Sequence, residues 1–157
     1  MSDSALWSAL DAAVPRWRDP DFPSLSVALE GGGTAPRRER VEGLAASALG
    51  NAFAPQPSLD DALEQIDAAT ARAVIASILV KTLAYDSDWV ERADAEHVAS
   101  IFVACFSDDA DFWTNGELSR RDRSARSWSP LTSATFDTGV LAVDDEAVGI
   151  LWVTDED

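Results

Sequence analysis

His97 is the only histidine and Cys105 the only cysteine in 157 residues, which narrows the chemistry open to this chain. A Ser–His–acid triad would have to use His97, and a histidine-based metal site would have a single imidazole. Glu96-His97 lacks the second histidine of a His-Glu-x-x-His zinc motif. His97 is predicted in the first turn of a helix, where a cationic side chain is disfavoured, so it reads as an ordinary surface or half-buried residue. Cys105 shares an apolar stripe with Ile101 and Phe102 and reads as an inert thiol. With one cysteine, an intrachain disulfide and a cysteine-based zinc site are both excluded. Acid–base chemistry of the glycosidase kind needs two carboxyls at a defined separation, and sequence order alone picks no pair from the 28 acidic residues.

Three further motifs invite ligand readings. Gly31-Gly32-Gly33 could present backbone N–H groups to a phosphate ahead of Arg37-Arg38, but the Gly-Lys-Ser/Thr of a P-loop and the spaced glycines of a dinucleotide fingerprint are missing. A strand-to-helix turn explains the glycines better. Asp108-Asp109-Ala110-Asp111, running on to Asn115-Gly116-Glu117, resembles a calcium loop until Gly116 is aligned with the loop glycine. Trp113 then falls where an oxygen ligand is required, and Asp122 where the bidentate glutamate belongs. Arg37-Arg38-Arg40 and Arg120-Arg121-Arg123-Arg126 stand out against an acidic background. Pairing with neighbouring carboxylates accounts for both better than an anion site does. No metal site and no cofactor are expected.

The charge is the clearest global signal. There are 28 acidic and 12 basic side chains, for a formal net charge of -16 and a pI near 4.2. After Ile78 there are 17 acids and 6 bases, so the C-terminal half carries most of the excess. Such a field repels phosphate backbones and anionic lipid, which disfavours nucleic-acid and membrane partners, and it attracts cationic ones. Hydrophobic residues make up 46% of the chain, a globular composition. No apolar run reaches the roughly 20 residues that span a bilayer. The Met-Ser-Asp-Ser-Ala-Leu-Trp start has no basic region of the secretory kind. A cytoplasmic, single-domain protein over residues 1–157 is expected.

The elements that must position these residues follow from periodicity. Leu6, Trp7, Leu10 and Val14 lie at helical spacing behind Asp3 or Ser4, and Pro15 limits the run. Leu25, Val27 and Leu29 alternate with small residues as in a short strand. A helix starts near Pro36, carries Val41, Leu44, Ala45, Ala48 and Leu49 on one face, and stops at Gly50-Asn51. The strongest helical signal lies between Ser58 and Tyr85, with Ser58 or Asp67 as caps and Ala68 onward as a central, mostly buried helix. Another helix begins near Asp94, with Val98, Ile101, Phe102 and Cys105 facing the core.

After Phe106 the pattern turns polar, and the chain ends in two strand-like runs, Val140–Val143 and Val148–Val153, joined by Asp144-Asp145-Glu146-Ala147. In the second run Val148, Ile150 and Trp152 point one way, Leu151 and Val153 the other. Helices first and strands last predict an α+β fold, an N-terminal helical layer on a small antiparallel sheet that includes a C-terminal β-hairpin. The hairpin places Asp144, Asp145 and Glu146 at one end and Asp155, Glu156 and Asp157 at the other, forming two acidic poles. Trp113 and Trp128 precede it as aromatic anchors for a protein partner. These eight residues are the expected partner-binding set. The expected function is an acidic interaction module for a basic partner, such as an inhibitor or immunity protein of a nuclease toxin. The alternative is a small hydrolase-like or ligand-binding enzyme using carboxylates with His97 or an arginine cluster.

Overall fold

The computed structural model describes residues 3–19, 23–54, 62–115, 131–134 and 136–156. The described residues form an α+β fold in the order α1 (Asp3–Ala13), β1 (Ser24–Gly31), α2 (Arg37–Leu49), β2 (Glu64–Ile66), α3 (Ala68–Val80), α4 (Arg92–Ala104), β3 (Asp111–Thr114), β4 (Phe136–Val143) and β5 (Ala147–Asp155). The strands make one sheet in the order β1-β5-β4-β3-β2, and every neighbouring pair is antiparallel.

Local signals set the helix boundaries. Pro36 stands at the N-terminus of α2, where its missing N–H is no loss. Gly50 ends that helix with φ +56°, which glycine adopts without a Cβ clash. Asp67 caps α3 by accepting the Thr70 N–H at 2.7 Å.

The alternation along β5 decides the layering. Leu151 and Val153 join Val140, Ala142, Leu25 and Phe112 in a core covered by α1, α3 and α4. Val148, Ile150 and Trp152 point to the opposite face, where they meet Leu141, Val143, Leu131 and the apolar side of α2. Helices therefore cover both faces of the central hairpin: the expected helical layer on one, α2 on the other. Two glycines permit close packing. A Cβ on Gly139 would lie 2.8 Å from the Trp152 ring, and one on Gly149 would lie 2.7 Å from the Phe106 ring.

Two boundaries depart from the sequence reading. The helical signal between Ser58 and Tyr85 contains strand β2 at Glu64–Ile66, and the helix proper runs only from Ala68 to Val80. Lys81 takes an extended backbone (φ -126°, ψ 139°) and forms a β-bridge with Asp88, which stops the helix despite the apolar Leu83 that follows. The polar stretch after Phe106 contains β3, which links β2 to β4. Ser58, the Arg120–Arg126 cluster, Trp128 and Asp157 lie outside the described residues.

Candidate functional site

Asp144–Glu146 and the described acids of the second expected pole, Asp155 and Glu156, lie at opposite ends of the β4–β5 hairpin, since Val143 pairs with Val148 and Phe136 with Asp155. Their chemistry differs. At the connection end Asp144 is buried. Its Oδ1 accepts the Glu146 and Ala147 N–H groups at 2.8 and 2.7 Å, and its Oδ2 accepts the Ser107 N–H at 2.7 Å. Burial raises the pKa of such a carboxyl, but these backbone donors outweigh it and hold Asp144 below the ordinary value. Asp144 thus staples the turn to the end of α4.

Asp145 is exposed, and it faces Arg37 at 2.9 Å. The same guanidinium reaches Asp109 at 3.3 Å and Asp111 at 3.2 Å, joining the first turn of α2 to β3 and to the hairpin turn. Its pKa is raised, first by the hydrogen bond to Asp145 and then by that to Asp111. Gln65 of β2 donates to the other Asp111 oxygen at 3.0 Å. Arg40 donates to the Asp144 carbonyl at 2.7 Å, and the Arg38 guanidinium lies over the half-buried Trp113 ring, 5.5 Å from its centre. Asp109 and Asp111, from the run that resembled a calcium loop, are thus partners of Arg37 from the first arginine cluster. Of the expected partner-binding residues at this end, Asp145 and Glu146 remain exposed, whereas Asp144 is enclosed.

At the open end of the hairpin lies a buried polar network centred on Asp137. Its carboxylate is fully buried. It accepts the Leu131 N–H at 3.1 Å, the Thr132 N–H at 2.7 Å, the Thr132 hydroxyl at 2.6 Å and the Asn115 amide at 3.1 Å. Asn115 also donates to the Asp137 carbonyl at 2.7 Å, and its own amide oxygen accepts the Thr138 hydroxyl at 2.7 Å. Burial pushes the Asp137 carboxyl above its usual range in spite of these donors. The Trp152 indole N–H lies close enough to favour the charged form, yet it closes no hydrogen bond of normal geometry among the described residues. Asp137 ties the end of β3 to the segment 131–132, a role that its place in a polar stretch of sequence did not reveal.

Asp155 is also enclosed. It accepts the Glu156 N–H at 2.9 Å and, across the fold, the Ala84 N–H at 3.0 Å. That second bond fixes a turn where the sequence pattern predicts the end of a helix. Thr82 N–H donates to Ser87 O at 2.9 Å and Asp86 N–H to Thr82 O at 3.0 Å, while Trp89 and Val90 N–H groups reach back to Val80 and Leu79 at 2.9 Å each. The Ser87 N–H also donates to the Thr82 hydroxyl at 3.1 Å, and Lys81 pairs with Asp88. Asp86 supports the reversal with φ 54°, a left-handed conformation that aspartate tolerates. Leu83 and Trp89 pack against the core beneath.

This turn carries Tyr85, which is 68% exposed and is the one large apolar side chain left open to solvent among the described residues. Asp86, Asp88 and Glu91 are exposed beside it in sequence. An exposed aromatic flanked by carboxylates was the arrangement expected of Trp113 and Trp128; the described residues present it at Tyr85. The available signal was the run Tyr85-Asp86-Ser87-Asp88, whose turn-forming residues argue against a continuing helix.

His97 is exposed on α4 and lines a groove with Asp94, Ile101 and the Ala5, Ser8 and Ala12 side of α1. The arginines of α2 line neither this groove nor the hollow formed by Asp67, Arg72, Ser100, Ser107, Asp108 and Phe112. Cys105 is half-buried, donates to the Ile101 carbonyl at 3.3 Å and has its thiol pKa raised by burial, as suits an unreactive thiol. No protein-family model matches the chain, and no curated protein or solved structure matches it either.

Proposed function

We propose that this chain is an acidic protein-interaction module that engages a basic partner through the Tyr85 turn, in the manner of an inhibitor or immunity protein that covers a cationic effector such as a nuclease toxin. The observation that carries this reading is an exposed tyrosine on a turn already fixed by hydrogen bonds to Asp155, Ser87, Thr82, Val80 and Leu79. Tyrosine is favoured as an interface anchor because it offers a large contact area with few torsions to freeze. A turn ordered before binding loses little further entropy on association. The exposed Asp86, Asp88 and Glu91 and the net charge of -16 supply the long-range attraction for a cation-rich surface.

Capture from an extract of the native host, read by mass spectrometry, tests the proposal. Wild-type protein is expected to retain a basic protein that is lost at high salt and depleted by tenfold or more with Tyr85→Ala, the effect of removing a binding hot spot. Capture indifferent to both salt and Tyr85 would overturn the reading.

A further inference from the structure

The sheet ends at β1, and no described strand pairs with its outer edge. Natural edge strands are usually blunted by lysine, proline, a bulge or an inward-pointing charge, because a free ladder edge pairs readily with another strand. Here β1 is eight residues long, Ser-Leu-Ser-Val-Ala-Leu-Glu-Gly, with a single charge near its far end. Its register with β5 runs unbroken from Ser24 opposite Thr154 to Gly31 opposite Ala147, so no bulge twists the edge away.

We propose that this edge is a self-association surface, on which β1 of a second copy of this chain pairs antiparallel about a two-fold axis at Val27. The sequence of β1 is self-complementary in that register. Val27 faces Val27, Leu25 of one copy faces Leu29 of the other, Ser26 faces Ala28, and Ser24 faces Glu30. Leu25, Val27 and Leu29 share the face that joins the core under α1, α3 and α4, and Val27 and Leu29 are only half-buried. Pairing extends that apolar row across the axis and keeps the two glutamates apart. Other registers do worse. An axis at Ala28 sets Leu25 against Gly31, and an axis at Ser26 sets Leu29 against residue 23, outside the strand. A slip of one residue would put apolar side chains opposite the wrong face.

Each copy carries a charge of -16, so repulsion opposes the dimer and salt strengthens it by screening. That dependence is opposite in sign to the one expected for a basic partner. The dimer does not rest on the proposed function, and either can fail alone.

Sedimentation velocity of the full chain, from micromolar to millimolar concentration and from about 0.01 M to about 1 M salt, tests the proposal. A concentration-dependent dimer that tightens with salt is expected. Ser24→Lys creates two symmetric cross-strand pairs with Glu30 and should tighten the dimer by about two- to thirtyfold, while Ser24→Glu should weaken it by a similar factor. The double variant Ser24→Lys/Glu30→Lys separates register from overall charge. Its net charge is less negative than that of Ser24→Lys, yet the β1–β1 pairing predicts weaker association because lysine then faces lysine. Hydrogen exchange on the wild type should show β1 amides gaining protection as concentration rises. A monomer under all conditions would overturn the proposal, and so would a double variant that associates at least as tightly as Ser24→Lys.

Discussion

The two ends of the β4–β5 hairpin use carboxylates in opposite ways. At the connection end, one guanidinium from α2 meets Asp109, Asp111 and Asp145, and the enclosed Asp144 is held by three backbone N–H groups. The acids there are matched by local donors and join α2, β3 and the turn. At the open end the enclosed acids, Asp137 and Asp155, are also matched by donors, but Asp155 supports a turn whose outer surface is a tyrosine with exposed carboxylates beside it. A run of acids in sequence therefore carries two meanings, and burial separates them. Enclosed acids matched by local donors build the fold at both ends, while the exposed ones beside Tyr85 add to the outer field.

The largest expected contrast is in stability. Asp137→Ala leaves the Leu131 and Thr132 N–H groups and the Thr132 hydroxyl without their acceptor in a fully buried site, and removes one of the two acceptors of the Asn115 amide. Each unsatisfied buried donor costs about 1–3 kcal/mol, so a total loss of about 3 kcal/mol or more is expected. Asp145→Ala removes one exposed partner of Arg37 and should cost less than about 1 kcal/mol. Urea unfolding of the two variants measures both. Equal losses would erase the distinction between enclosed and exposed acids on which the comparison stands.

Binding reverses the ranking. Tyr85→Ala should reduce affinity for the basic partner by about 2 kcal/mol or more, as at a hot spot, while changing stability by less than about half a kcal/mol because the ring is exposed. Trp113→Ala, at the connection end, should do the converse, since its ring is half-buried under Arg38. Calorimetric titration beside thermal unfolding separates the two, and a Tyr85→Ala protein that binds normally would move the interaction surface elsewhere.

Much of this architecture was legible before any coordinates, because long elements repeat their signal. The alternation of Val148, Ile150 and Trp152 against Leu151 and Val153 assigned each side chain of β5 to the face that it occupies. Pro36 with Gly50, and Asp67, marked helix ends that the structure places where expected. Short elements gave no such repetition. In β3, the four-residue Asp-Phe-Trp-Thr run sets Phe112 against one core and Trp113 against the other, which is too short a pattern to distinguish a strand from a loop. The start of β4 was hidden because Asp137 and Thr138 look solvent-facing in sequence and are buried only through partners more than four residues away. The exposure of Tyr85 is hidden in the sequence for a related reason. Exposure depends on tertiary packing, and an aromatic that follows an apolar helix reads as part of the core until the chain is seen to reverse at Asp86.

A smaller contrast lies in titration. Asp144 has its pKa held below the ordinary carboxylate value of about 3.9 by backbone donors, and Asp137 has its pKa raised above that value by burial. The signs of their effects on stability are therefore opposite. The contribution of Asp144 is present above the unfolded-state pKa and is lost as pH falls through its folded value. That of Asp137 is complete below the unfolded-state pKa and declines as pH rises through its folded value. Carboxyl carbon shifts followed by NMR across the acid range should give midpoints on either side of about 3.9. Two midpoints on the same side would mean that the two enclosed carboxyls occupy equivalent environments.

The smallest effect expected is kinetic, and it tests whether an acid's place on the molecule decides how strongly it steers a partner. Neutralising Asp86 and Asp88 together should slow association with the basic partner severalfold at low salt, because rim charges act mainly on the on-rate. The difference should fade as the Debye length falls from about 30 Å at 0.01 M to about 10 Å at 0.1 M salt. Neutralising Asp145 and Glu146 removes the same number of charges from the same chain, so a field set only by net charge predicts an equal slowing. Arg37 lies 2.9 Å from Asp145, however, and reaches Asp109 and Asp111 as well. Asp88 likewise has Lys81 as a partner, so the contrast rests on position: the Asp145 turn is far from Tyr85 along the hairpin, whose other end holds Ala84 through Asp155. A weaker effect is therefore expected, with dissociation unchanged. Stopped-flow association over a salt series, with both double variants and the wild type, reads this directly. Equal slowing by the two variants would show that the overall charge of -16 does the steering and that the Tyr85 turn contributes only its contact surface; slowing confined to the Asp145 variant would move the partner to the connection end.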